Sequence, residues 1–131
     1  METTLAIIKP DSYKDGNSGK IIDRIISEGF IIKDMKQTHM TKEKAEGFYE
    51  VHKERPFYGE LTEFMSSGKC VVLSLERDDA VSKWREVIGA TNPEEAEQGT
   101  IRALFGKNTG NNAVHGSDSP ENGIIESNYF F

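Results

Sequence analysis

Cysteine occurs once in these 131 residues, so no internal disulfide can form and burial with hydrogen bonding must hold the fold. That cysteine, Cys70, lies in the apolar run Cys70-Val71-Val72-Leu73 and reads as a buried strand residue in a reducing compartment. No apolar run approaches the roughly 20 residues that cross a bilayer, and no leader pattern opens the sequence, so a cytoplasmic protein with no membrane partner is expected. Positive charge is in the minority: 16 Lys and Arg stand against 22 Asp and Glu, a net charge of -6. Such a field repels nucleic acid, which is not expected as a partner, and any anionic ligand needs a local cationic cluster. Histidine occurs only as His39, His52 and His115. Their separations match no local ligand motif, so a metal protein built on the three is a weak reading. Repeats, low-complexity tracts and linkers are absent too.

What is present suits one soluble domain over residues 1–131, with 36% hydrophobic and 29% charged residues. Thr3 to Ile8 is an almost unbroken apolar and β-branched run, as in a central strand buried on both faces. Pro10 stops its pairing and leaves Lys9 at the strand end. Asp11 to Gly19 is polar and turn-rich. The stretch Gly16-Asn17-Ser18-Gly19-Lys20 resembles a phosphate-binding loop, but position 14 is Lys and Ile21 replaces the Ser/Thr, so that motif is rejected.

Lys20 to Glu28 reads as an amphipathic helix with Ile21, Ile22, Ile25 and Ile26 on one face, ended by Gly29. A strand runs from Phe30 towards Met40, with His39 in a structural role. A helix capped by Thr41 carries Phe48, Tyr49 and His52 and breaks before Pro56. Phe48 is assigned to packing, whereas Tyr49 can present its hydroxyl at a cleft. Gly59 to Ser67 is helical and Cys70 to Leu75 is a strand. A helix capped by Asp78 or Asp79 runs through Trp84 and Arg85 to Ile88. From Ala90 to Gly110 periodicity is poor, but Ile101, Leu104 and Phe105 anchor an ordered, functional loop holding Thr91 and Arg102. Strands separated by helical crossovers suggest an α+β sandwich with helices on one sheet face. The best fit is a ferredoxin-like βαββαβ arrangement with a four-stranded antiparallel sheet, which brings Lys9 and His115 to one cleft.

The chemistry concentrates in Asn112-Ala113-Val114-His115-Gly116-Ser117-Asp118-Ser119. His115 lies at the end of a short strand, before a polar turn and a helix from Pro120 to Phe130 with Ser119 as N-cap. An imidazole there can serve as nucleophile, base or metal ligand, since its unperturbed pKa of about 6.5 leaves much of it neutral at physiological pH. Gly116 removes bulk beside it.

Taken together, Lys9-Pro10-Asp11, Arg55-Pro56-Phe57, Gly89-x-Thr91-Asn92-Pro93, Gly99-Thr100-Ile101-Arg102 and the histidine block resemble nucleoside diphosphate kinases, in that family's order and over nearly the whole chain. The resemblance implies the ferredoxin-like fold and a ping-pong transfer of a terminal phosphoryl group from a nucleoside triphosphate to a diphosphate, with broad base specificity. It implies His115 as the phosphorylated residue, on the pros nitrogen. Arg85, Arg102 and Arg55 fall at phosphate-site positions, and Thr91 adds a hydroxyl. Lys9 and Asn112 match residues of the ribose hydroxyl region, with Lys9 close to the transferring phosphate. Tyr49 matches the tyrosine near the histidine. Phe57 falls where the base is held by stacking, Leu61 is a further nucleotide-binding position, and Glu126 and Ser117 match the shell that orients His115. Mg²⁺ is implied as a bridge between nucleotide phosphates, with no protein side chain assigned to it. A homo-oligomer built from dimers, a tetramer or hexamer, is implied as well. Two departures stand out. Leu104 replaces a usual acidic residue, and the chain ends at Phe131 where many relatives carry a tail, so fewer intersubunit contacts are expected. The competing reading is a catalytically silent nucleotide-binding module.

Overall fold

β1 (Glu2–Ile8) is buried on both sides, and the rest of the molecule is laid against it; the computed structural model describes all residues from Met1 to Phe131. On one side β1 pairs antiparallel with β3 (Lys69–Arg77), on the other with β4 (Val114–Gly116). β2 (Ile31–His39) pairs antiparallel with β3, giving the order β2-β3-β1-β4. This is the expected four-stranded antiparallel sheet of the ferredoxin-like type. The apolar run needs no alternation because successive side chains enter two different cores. Ala6 and Ile8 meet Ile21, Ile25, Trp84 and Val87; Leu5 and Ile7 meet Met40, Ala45, Met65 and Phe130. Helices therefore cover both sheet faces, which corrects the expectation of one covered face.

α2 (Ser18–Ser27) buries Ile21 and Ile25, but Ile26 is 60% exposed. At 100° per residue Ile26 has rotated off the stripe. α3 (Lys42–Phe48) starts where Thr41 Oγ1 accepts the Lys44 amide at 3.1 Å. It ends sooner than Pro56 requires, giving way to a 3₁₀ turn (Glu50–His52) before α4 (Tyr58–Met65). α5 (Ala80–Ile88) lacks the expected aspartate cap. Asp79 stands at its N-cap with φ 53° and makes no side-chain cap bond, and Glu2 Oε1 accepts the Val81 amide at 2.9 Å instead.

Two short helices were not expected. α1 (Pro10–Lys14) takes Pro10 into its first turn, and α6 (Ile101–Phe105) begins where Thr100 Oγ1 accepts the Ala103 amide. α7 (Pro120–Phe130) has the expected cap, Ser119 Oγ accepting the Asn122 amide at 3.1 Å. It presses on β1 so closely that a β-carbon at Gly123 would collide with the Thr3 carbonyl. Ile124 and Ile125 face outward, while Phe130 is buried and Phe131 half exposed. No helix is long and apolar enough to cross a membrane.

Candidate active site

β1 and β4 bring the two chemical ends of the site together. Ile7 lies opposite His115 in the ladder, and the Lys9 amide donates to the Ala113 carbonyl at 2.9 Å, so pairing continues past Ile8. Ala113 has φ 76°, a left-handed conformation that non-glycine residues rarely adopt. Asp11 fixes it, Oδ2 accepting the Ala113 amide at 3.1 Å. That role was not read from the sequence, although Asp11 stood in the Lys9-Pro10-Asp11 block.

His115 is the middle residue of β4 rather than its last. Its Nε2 lies 2.9 Å from Glu126 Oε1 on α7. An ionised carboxylate can only accept, so Nε2 carries the proton and Nδ1 holds the lone pair in the neutral ring. Nδ1 makes no hydrogen bond within the chain. The same Oε1 accepts from Ser117 Oγ at 2.8 Å, and Ser117 Oγ accepts the Leu5 amide at 3.0 Å. A relay from β1 through Ser117 thus fixes the carboxylate that fixes the imidazole. Phe48 packs edge-on to the imidazole with centroids 5.3 Å apart, a contact beyond the packing role expected of it.

Lys9 is buried, and its Nζ donates to Asn112 Oδ1 at 2.8 Å, while Asn112 Nδ2 donates to the Thr91 carbonyl at 3.0 Å. Burial, and then repulsion from Arg102, pushes the Lys9 pKa down to about 8, against a smaller opposing pull from Asp11. Arg102 Nη1 and Nη2 donate to the carbonyls of Gly89 and Val114 at 3.0 and 2.9 Å, and its Nε is buried without a partner. Burial, with Arg85 as second cause, lowers its pKa to about 10. Three cations therefore crowd one region, two of them under strain that an anion relieves.

These residues wall a cleft of about 1370 Å³. Lys9, Tyr49, Phe57, Leu61, Arg85, Thr91, Arg102, Asn112, His115 and Glu126 all line it. Ser117 lies behind it, fully buried. Arg55 does not line it and stands exposed on the turn after the 3₁₀ segment. Tyr49 has a buried hydroxyl without a partner, and burial raises its pKa. Phe57 is 46% exposed at the mouth, backed by His52 with centroids 5.6 Å apart. No three His, Cys, Asp or Glu side chains converge as a metal-ligand set, and His39 is occupied with the Ser66 carbonyl at 2.8 Å.

The family model for nucleoside diphosphate kinase matches residues 2–131. The chain belongs to the nucleoside diphosphate kinase family. A relative of that name from Chlamydia caviae is 58% identical over the whole chain and 93% of its own length; one from Geotalea daltonii is 55% identical, with 96% of its length covered. The Aquifex aeolicus nucleoside diphosphate kinase crystal structure superposes with a TM-score of 0.98 at 52% identity, covering 99% of this chain and 94% of that one. The halophilic nucleoside diphosphate kinase of Halobacterium salinarum, determined in complex with CDP, superposes with a TM-score of 0.95 at 32% identity, covering 99% and 87%. The five short blocks thus point to the family that the whole chain matches.

Proposed function

We propose that this protein is a nucleoside diphosphate kinase that works through a phosphohistidine at His115. The observation that carries the reading is the hydrogen bond between His115 Nε2 and Glu126, which leaves Nδ1 as the free nucleophilic nitrogen in a cleft walled by Lys9, Arg85 and Arg102. In the first half-reaction the Nδ1 lone pair forms a bond to the terminal phosphorus of a nucleoside triphosphate. The bond from that phosphorus to the bridging oxygen breaks, and the diphosphate leaves with its electron pair. In the second, a terminal phosphate oxygen of another diphosphate attacks the same phosphorus, the P–N bond breaks, and His115 is restored. A covalent intermediate divides one transfer into two equivalent steps.

The transition state for such transfer is loose, so catalysis is positioning and charge neutralisation. Arg85 and Arg102 meet the phosphates. Lys9 and Asn112, already joined, span the transferring phosphate and the ribose hydroxyls, and Thr91 adds a hydroxyl. Tyr49, whose buried hydroxyl has no partner, lines the same cleft. Phe57, flanked by Leu61, stacks on the base, and a ring face reads all bases alike. Arg55 is assigned no contact. Mg²⁺ prefers phosphate oxygens and water, so it fits a cleft rich in cations only as an ion carried on the nucleotide's own phosphates. When bound, it neutralises phosphate charge.

The partners are then nucleoside tri- and diphosphates, and a second copy of the chain. The unpaired edge of β2, with Ile31 and Met35 half exposed, supports a dimer-based homo-oligomer. A monomer-sized boundary in sedimentation velocity at micromolar protein would refute that part. We place the protein in the cytoplasm, a reading supported by the single buried Cys70, which suits a reducing compartment.

Incubation with γ-labelled ATP tests the mechanism. The label should be lost in acid and survive base, and His115→Ala should lose both label and turnover. A stable label on Ser117 or Ser119 in that variant would overturn the assignment. Nucleotide binding without label or turnover would favour the silent module.

A further inference from the structure

α5 gives the site two consecutive residues with opposite surroundings. Arg85 is exposed and lines the cleft, whereas Trp84 is fully buried and lines none of it. Trp84, the only tryptophan in the chain, donates its Nε1–H to the main-chain carbonyl of His115 at 3.0 Å. It reaches that carbonyl because residue 116 is glycine: a β-carbon there would lie 2.7 Å from the indole Cδ1 and 3.1 Å from Nε1. Phe30 packs edge-on to the indole with centroids 5.7 Å apart and makes no hydrogen bond to it.

β4 has need of such a tie. It is three residues long, lies at the sheet edge with β1 as its one neighbour, and follows the left-handed Ala113. Buried indoles usually find an acceptor for their N–H, and many core carbonyls would serve that purpose. This one takes the carbonyl of the residue that bears the reacting imidazole. The side chain of His115 is fixed by Glu126 from α7, and its main chain by Trp84 from α5.

We infer that Trp84 is a positioning residue for phosphoryl transfer, its indole N–H fixing the main chain of His115 relative to α5 and so relative to Arg85. The inference rests on His115 as the phosphoryl acceptor. Misplacement of a nucleophile by fractions of an ångström is felt in the rate of transfer and leaves the affinity of groups bound elsewhere in the cleft alone.

The single tryptophan makes a clean test possible. Production in a tryptophan auxotroph fed β-(3-benzothienyl)alanine replaces Trp84 alone by an isostere with sulfur in place of the N–H. The single-turnover rate of His115 phosphorylation from ATP, the affinity for ADP and the Tm are measured for wild type, the analogue protein, Trp84→Phe and Phe30→Leu. Loss of one hydrogen bond should slow phosphorylation about five-fold in the analogue protein with ADP affinity unchanged. Trp84→Phe should slow it at least as much. Phe30→Leu should lower the Tm and leave the rate unaltered. If Trp84→Phe does not fold, the analogue protein, which keeps the ring, decides. Phosphorylation of the analogue protein at the wild-type rate overturns the inference, as does an equal slowing in Phe30→Leu. Absence of label in the wild type overturns the assignment of His115 and the inference together, whereas a labelled wild type with an unaffected analogue overturns the inference alone.

Discussion

Glu126 Oε1 accepts from both His115 Nε2, at 2.9 Å, and Ser117 Oγ, at 2.8 Å. One oxygen on a helix thereby orients a ring on a strand, and its own position is fixed by the hydroxyl at the end of that strand. Removing the carboxylate frees the imidazole to turn and to exchange tautomers. Glu126→Ala should therefore lower kcat on the order of a hundred-fold with nucleotide KM little changed. Glu126→Gln, which can still accept from Nε2 through its carbonyl oxygen, should fall between the two. Steady-state kinetics with ATP and a diphosphate acceptor decide it. A Gln variant slower than the Ala variant would contradict the role of acceptor.

Lys9 gives the site a pH dependence. With its pKa pushed down to about 8, the side chain loses its charge as pH rises through that value, and kcat/KM for ATP should decline above it. Lys9→Met should be slow throughout and show no such decline. Stability should run the other way. The unfolded lysine keeps its proton up to the ordinary 10.5, so between about pH 8 and 10.5 the unfolded chain binds more protons, and stability from this group rises with pH. Denaturation at pH 7.5 and 10 should show wild type gaining on Lys9→Met.

Phe57 offers a ring face at the mouth of the cleft and no polar edge. Phe57→Ala should weaken ATP, GTP and CTP by similar factors, roughly 1–3 kcal/mol per base. Calorimetric titration of the three nucleotides checks this. A loss confined to one base would mean that a hydrogen-bonding reader lies nearby.

Gly123 lets α7 lie against the β1 main chain at Thr3. Gly123→Ala should destabilise the fold by about 2–3 kcal/mol, because backbone meets the new methyl and cannot yield as a side chain would. Activity should fall further than stability, since the displaced helix carries Glu126. Urea melts and kcat measured at full folding separate the two effects.

Much of this architecture is written locally. Thr41 and Ser119 announce helix starts because a cap acts on amides two or three residues away, and the unbroken run from Thr3 to Ile8 announces a strand with two cores. α1 is hidden in the sequence because Pro10 both ends β1's pairing and opens a helix, and the first signal masks the second. α6 is hidden as well, since a five-residue helix has too few turns for periodicity. The cap of α5 could not be found locally, as it comes from Glu2 at the far end of the chain. At the site, short motifs hold Lys9, Phe57, Thr91, Arg102, Asn112 and His115 of the cleft wall, whereas Tyr49, Leu61, Arg85 and Glu126 stand outside those blocks. The contacts of Trp84 and Phe48 with His115 join distant elements and leave no spacing to read. Arg55, chosen by its place in a motif, lies outside the wall of the cleft.

Lys9, the residue that follows β1, and His115 on β4 are joined through one hydrogen-bonded ladder, with Ile8 opposite Val114 and the Lys9 amide bonded to Ala113. A shuttle that accepts cargo from one visitor and hands it to the next performs the same act forwards and backwards. Any rearrangement needed on loading would have to be undone on delivery. Tying both residues to a sheet, one within a strand and one at a strand's exit, removes that toll in each direction. The traffic is then governed by whichever nucleotide arrives, and the scaffold can stand still while goods change hands.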